Sequence, residues 1–148
     1  VNSVAGIKKY GVPLIIIDIG TAITFDVVDE NSVYQGGAII PGIGISSEAL
    51  FLKTAKLPRV ELFKPERIVA KNTMDNIRVG MVIGYIGLIE KLIDEIVKEM
   101  NFDVSKLKIV ATGGYSSLIS KDIDKINIID KKLTLDGMLE IYKMKKGL

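Results

Sequence analysis

The stretch that most constrains this chain is Leu14-Ile15-Ile16-Ile17-Asp18-Ile19-Gly20-Thr21. Leu14 to Asp18 is a short run, apolar on both faces, and that is the pattern of a strand in the middle of a covered sheet. Gly20-Thr21 breaks the run and leaves a carboxylate, Asp18, at the strand's end. A second strand follows over about Ile23 to Asp29. Glu30-Asn31 turns the chain into a third, Ser32 to Ala38.

After Pro41-Gly42 a helical pattern covers about Ile45 to Thr54, followed by a connection carrying Pro58 and Pro65. Thr73 is placed as the N-cap of a long helix reaching Met100, with Asp75 in its first turn. Ile77, Met81, Ile89, Leu92, Ile93, Ile96 and Val97 recur in it at helical spacing. Gly80, Gly84 and Gly87 each weaken that helix by about 1 kcal/mol relative to alanine. Their expected use is close approach to another helix or a second subunit, with a ligand edge as the alternative.

The last third alternates strand and helix: a strand at Leu107 to Ala111, a Thr112-Gly113-Gly114 turn, and a short helix from Tyr115 to Ser120. A strand at Ile126 to Ile129 and an amphipathic helix from Leu133 to Lys145 complete it. Three meandering strands followed by crossover units predict an α/β domain: a mixed five-stranded sheet with helices on both faces, in the ribonuclease H-like layout. At 148 residues the chain fits one domain burying roughly 70% of its unfolded surface.

Composition narrows the chemistry. The chain has no cysteine and no histidine, which removes disulfides, Cys/His zinc sites, thiol nucleophiles and imidazole triads together. What remains is carboxylates, hydroxyls, backbone amides, lysines, arginines and bound metal, an inventory that suits phosphoryl transfer. A net charge of +2 does not call for nucleic acid or an acidic membrane, and the tail lysines 143, 145 and 146 complement a helix C-terminus. The longest mainly apolar stretch, Val79 to Ile89, is far short of the about 20 residues a membrane-spanning helix needs. The absence of cysteine is compatible with a cytoplasmic location.

Three glycine-bearing turns carry the candidate chemistry. In Asp18-Ile19-Gly20-Thr21-Ala22-Ile23-Thr24, Asp18 can face a cation, Gly20 lets backbone approach phosphate oxygens, and the hydroxyls of Thr21 and Thr24 can donate to them. A hairpin turn with a capping aspartate fits the same residues equally well. Gly36-Gly37-Ala38-Ile39-Ile40-Pro41-Gly42 taken alone reads as a bulge and a turn. Thr112-Gly113-Gly114 offers either a flat floor for a nucleotide or a tight strand-to-helix turn. Each turn follows a strand, so in this layout two or three of them line one crevice.

The ordered set resembles type III pantothenate kinases. The stretches DIGTAIT from Asp18, GGAIIPG from Gly36, Ala55-Lys56-Leu57-Pro58, Asn72-Thr73 before a glycine-bearing helix, TGG from Thr112, and LTLDGMLEIY from Leu133 look like that family's successive signatures. The resemblance covers nearly the whole chain, to Tyr142, and matches the family's C-terminal half, a lobe of the actin-like ATPase superfold. It implies Asp18 as ligand to a monovalent cation, potassium or ammonium. It implies Gly20, Thr21 and Thr24 at the ATP phosphates, Gly113 and Gly114 near the adenosine, and Thr73 in contact with pantothenate. The implied reaction is transfer of the γ-phosphoryl group of Mg-ATP to pantothenate, giving 4'-phosphopantothenate, the first committed step towards coenzyme A, in a cytoplasmic homodimer.

Family members also carry a DxGNT turn and a GxDR segment, whose Asp is the general base. Neither string occurs in this chain, which starts at Val1 without methionine and is expected to be the second lobe alone, as a fragment, one of two chains, or a trimmed product. No catalytic residue is therefore assigned here, and the isolated chain is expected to be inactive, its N-terminal lobe belonging to the complete protein. Two other readings stay open: a non-catalytic accessory or regulatory homologue, and another kinase or ATPase of the actin-like superfold.

Overall fold

A computed structural model describes residues 1–147. Its elements in chain order are α1 (Asn2–Tyr10), β1 (Leu14–Ile19), β2 (Ala22–Val28), β3 (Tyr34–Pro41), α2 (Ile43–Lys53) and α3 (Thr73–Met100). They are followed by β4 (Lys108–Thr112), α4 (Ser116–Ile119) with a 3-10 turn at Ser120–Asp122, β5 (Ile128–Ile129), and α5 (Leu133–Lys146). The sheet order is β3-β2-β1-β4-β5. β1, β2 and β3 pair antiparallel, while β4 lies parallel to β1 and β5 parallel to β4. This is the mixed ribonuclease H-like sheet, with β1 at its centre.

The alternation of β1 explains the two-sided cover. Ile15, Ile17 and Ile19 point into the larger core with Phe25, Ile43, Val82, Ile89 and Ile119, under α2, α3 and α4. Leu14 and Ile16 point the other way, to Ala5, Val28, Val110 and Leu133, under α1 and α5. Every apolar residue of β1 is fully buried. At about 1.5–3 kcal/mol per buried aliphatic side chain, this strand alone commits the chain to helices on both faces.

Several boundaries differ from the sequence expectation. The helix α1 was not anticipated. The third strand runs to Pro41, and Gln35 is the extra residue where its pairing with β2 shifts register, so the irregularity lies one residue before the GGAIIPG stretch in which a bulge was expected. The last strand is reduced to Ile128–Ile129, and Asn127 just before it meets Ile109 twice, its N–H donating to the Ile109 carbonyl at 3.0 Å and its Oδ1 accepting from the Ile109 N–H at 2.8 Å. The N-cap of α3 is Asn72, not Thr73. Asn72 Oδ1 accepts from the Asp75 N–H at 2.9 Å while its Nδ2 donates to Asp75 Oδ2 at 2.7 Å. A carboxylate three residues after Asn72 completes a reciprocal cap that Thr73 has no partner to make. No helix among the described residues is long and apolar enough to cross a membrane.

Candidate functional site

Asp18 is the penultimate residue of β1, and its ladder partners are Thr24 on β2 and Thr112 on β4. Directly paired residues project from the same face of a sheet, so Thr24, Asp18 and Thr112 form a polar row across three strands, on the α1 side. The first residue of α1, Asn2, donates from Nδ2 to Asp18 Oδ2 at 3.0 Å. Asp18 and Thr24 are half-buried and Thr112 is buried.

The three turns close on this strand end. The Gly20 N–H donates to the Ala22 carbonyl at 3.1 Å, making the β1–β2 turn. Thr21's carbonyl accepts from the Gly42 N–H at 3.1 Å, and Ile19's from the Tyr115 N–H at 3.0 Å. The loops after β3 and after β4 are thus both bonded to residues 19–21. Two glycines are required by these approaches. A Cβ on Gly42 would lie 2.2 Å from the Thr21 carbonyl oxygen and 2.4 Å from that of Gly20. Gly113 has φ +93°, and a Cβ there would meet Asp18 Oδ1 and the Ile19 carbonyl, all at 2.6 Å. The Asp18 carboxylate occupies the space a side chain at 113 would take.

The geometry brings these turns together around the end of β1. Thr21 and Gly114 are exposed there and Gly20 and Gly113 half-exposed, so backbone and hydroxyl are open to a ligand. Thr24 sits beside Asp18 within the sheet and not in the turn. Among the described residues no group of three or more Asp, Glu, His or Cys could hold a metal ion. A cation at Asp18 must complete its shell with neutral oxygens, from carbonyls, hydroxyls, water or a ligand's phosphates. That donor set suits a hard, weakly demanding cation and excludes a multi-carboxylate cage.

Thr73 stands elsewhere, at the exposed start of α3, and no hydrogen bond among the described residues ties it to the Asp18 cluster. Beside it lies a cleft of about 280 Å³ lined by Phe63, Glu66, Arg67, Lys71, Asn72 and Asp75, among others. Arg78 pins the connection before α3: its Nε donates to the Glu61 carbonyl at 3.0 Å and its guanidinium stacks 4.0 Å from the Phe63 ring centre. The Asn72 hydrogen bond, reinforced by Arg78, holds the Asp75 carboxyl below its ordinary value.

Sequence reasoning missed α1, and with it Asn2. The available signal was the end of the helix: Lys8-Lys9-Tyr10 followed by Gly11, which has φ +79°, and Pro13 two residues on. The Thr112 hydroxyl was also passed over, since only its turn was singled out.

The sequence profile of type III pantothenate kinases matches residues 1–95. A type III pantothenate kinase of Finegoldia magna is 50% identical over 99% of this chain and 56% of its own length. That of Persephonella marina is 48% identical over 96% of this chain and 54% of its own length. A solved Campylobacter jejuni protein, described as a conserved Baf-family transcriptional activator, superposes with a TM-score of 0.66 at 26% identity. It covers 98% of this chain and 63% of the solved one. The chain spans about half the length of the curated relatives it matches. With such identity along almost its entire length, the chain belongs to the type III pantothenate kinase family.

Proposed function

We propose that this chain forms the phosphate- and cation-holding lobe of an ATP-dependent pantothenate kinase, which transfers the γ-phosphoryl group of Mg-ATP to the primary hydroxyl of pantothenate. The observation that carries the reading is the convergence of three glycine turns on Asp18, with Gly42 and Gly113 both sterically obligatory. In this reading Gly20, Thr21 and Thr24 meet the nucleotide phosphates, Gly113 and Gly114 form the floor beside the adenosine, and Thr73 contacts pantothenate at the α3 N-terminus. Asp18 holds a potassium or ammonium ion, which when bound neutralises phosphate charge. Mg²⁺ arrives with the nucleotide, as it usually does in phosphoryl transfer.

The general base lies outside these residues, in a GxDR segment of an N-terminal lobe carried by the complete cytoplasmic protein. Homodimerisation is supported by apolar and small residues facing outward on neighbouring helices: Ile45 and Leu52 on α2, and Gly84, Gly87 and Leu88 on α3. A second reading, a non-catalytic regulatory homologue, is favoured by the description attached to the Campylobacter jejuni relative.

A coupled ADP-release assay separates the two. The complete protein should turn over ATP only with pantothenate and with potassium. The isolated chain should not, since loss of a general base costs about 10²–10⁴-fold before the missing phosphate contacts are counted. Absent turnover by the complete protein would favour the regulatory reading, and pantothenate-independent turnover would point to another ATPase of the superfold.

A further inference from the structure

Asn2 is 9% exposed, and its two side-chain polar atoms are treated very differently. Nδ2 donates to Asp18 Oδ2 at 3.0 Å. Oδ1 is buried and has no hydrogen-bond partner. The amide cannot simply be turned round, because a carboxylate oxygen only accepts, and reversal would set two acceptors against each other. Buried carbonyl oxygens are almost always paired, so an orphan one bond angle away from the group holding Asp18 calls for an explanation.

The surroundings supply one. Asp18 is fixed on both sides: Oδ2 by Asn2, and Oδ1 against the bare α-carbon of Gly113. With no group of three or more carboxylates among the described residues, a cation at Asp18 needs neutral oxygens as well, and an amide carbonyl is a good ligand for a hard cation. We propose that Asn2 positions Asp18 and, through its unpartnered side-chain oxygen, is a second oxygen ligand for the monovalent cation that Asp18 holds. This rests on the cation reading of Asp18 above. It makes α1 part of the site and not only part of the packing.

The test reads cation binding directly, with Mg-ATP present throughout. Thallium(I), a potassium surrogate, is titrated by ²⁰⁵Tl NMR, and the thermal midpoint is followed against KCl with ionic strength held by N-methylglucamine chloride. The chain should be stabilised by potassium and not by N-methylglucamine. Asn2→Leu removes donor and acceptor together, and should raise the half-saturating cation concentration about 10–100-fold, the range seen when a supporting ligand is lost. Asn2→Asp keeps an oxygen but sets two carboxylates side by side. It should have a lower midpoint without potassium and a larger potassium-dependent rise than the parent chain.

If Asn2 only staples α1 to the sheet, Asn2→Leu will lower the midpoint equally at every KCl concentration, and Asn2→Asp will not be rescued by potassium. Either result overturns the proposal while leaving Asp18 as a cation ligand. A parent chain that does not distinguish potassium from N-methylglucamine, with Asp18→Asn behaving identically, overturns both. If Asn2→Leu does not fold, the potassium response of Asn2→Asp decides.

Discussion

Two groups of glycines in this molecule look alike in sequence and differ completely in structure. At the end of β1, Gly42 and Gly113 are enclosed, and an added methyl would strike backbone or the Asp18 carboxylate at 2.2–2.6 Å. Along α3, Gly80, Gly84 and Gly87 have nothing within 4 Å of the position a Cβ would take. The first group is explained by the fold and builds the strand-end cluster. The second is unexplained by any contact within the chain, although it carries a helix-propensity cost of about 1 kcal/mol per residue. That open face of α3 is the proposed dimer surface.

The largest effect that could break this contrast is at Gly113. Gly113→Ala forces a side chain to φ +93° and drives it into Asp18 and Ile19, so it should destabilise the chain by about 3 kcal/mol or more, strain and overpacking adding. Gly42→Ala should cost about 2–3 kcal/mol from overpacking alone. Urea midpoints measure both. A shift under 1 kcal/mol at either position would mean the turns can part, and that the cluster is not rigid.

Next in size is a change that spares packing. Asp18→Asn keeps the shape of the strand end and loses its charge. In the complete kinase it should raise the potassium concentration for half-maximal activity by at least about tenfold, while the urea midpoint moves little. An unchanged potassium requirement would reduce Asp18 to a turn cap.

On α3 the sign reverses. Gly84→Ala should stabilise the chain by about 1 kcal/mol, because the added methyl meets nothing. Gly84→Leu should leave the fold intact and lower the mass seen by light scattering from dimer to monomer. A Gly84→Leu protein that remains a stable dimer removes the subunit contact from the account.

The smallest effect concerns how α1, the helix that brings Asn2 to the site, is held at its other end. Lys9 bonds to Asp130 and to Asp136, Tyr10 Oη donates to Asp130 at 2.7 Å, and Lys8 pairs with Glu140. Burial raises the Asp130 carboxyl, but the bonds from Lys9, Tyr10 and the Lys132 N–H outweigh it and hold it below its ordinary 3.8. Hydrogen bonds to Asp130 and Asp136 raise Lys9 well above its ordinary 10.5; burial, then Asp130, raises Tyr10 above 10.0.

The lowered Asp130 contributes stability above pH 3.8 that is lost as the pH falls through its folded-state value. The raised Lys9 and Tyr10 contribute below 10.5 and 10.0, and lose it as the pH climbs past them. Lys9→Met should therefore cost at most about 1 kcal/mol, constant from about pH 5 to 9 and vanishing near pH 2. A penalty that persists in acid would assign Lys9 a packing role.

The same contrast shows what the sequence could reveal. The central strand was legible because Leu14 to Ile17 are large, apolar and consecutive. The meeting of the turns was legible because Gly20, Gly42 and Gly113 each stand just past the end of a strand. Helix α1 was not, because it reaches the sheet with Ala5 and Gly6: a Cβ on Gly6 would lie 2.7 Å from Leu14 Cδ2, so close approach replaces the apolar stripe that periodicity detects. The cap of α3 slipped by one residue because Asn72 and Thr73 can both cap, and only the side chain of Asp75 chooses between them. Asn2 was invisible for a third reason: its meaning is a contact across 16 positions, which no local pattern records.

The most direct measurement is an amide chemical-shift titration of the ¹⁵N-labelled chain with Mg-ATP in potassium buffer. The largest perturbations should fall on Gly20, Thr21, Gly113 and Gly114, with Gly42 following through its bond to Thr21, and the outer α3 glycines 80, 84 and 87 should stay still. Perturbations confined to the cleft around Phe63 and Lys71, or none at the end of β1, would contradict the assignment of that strand end as the phosphate and cation site.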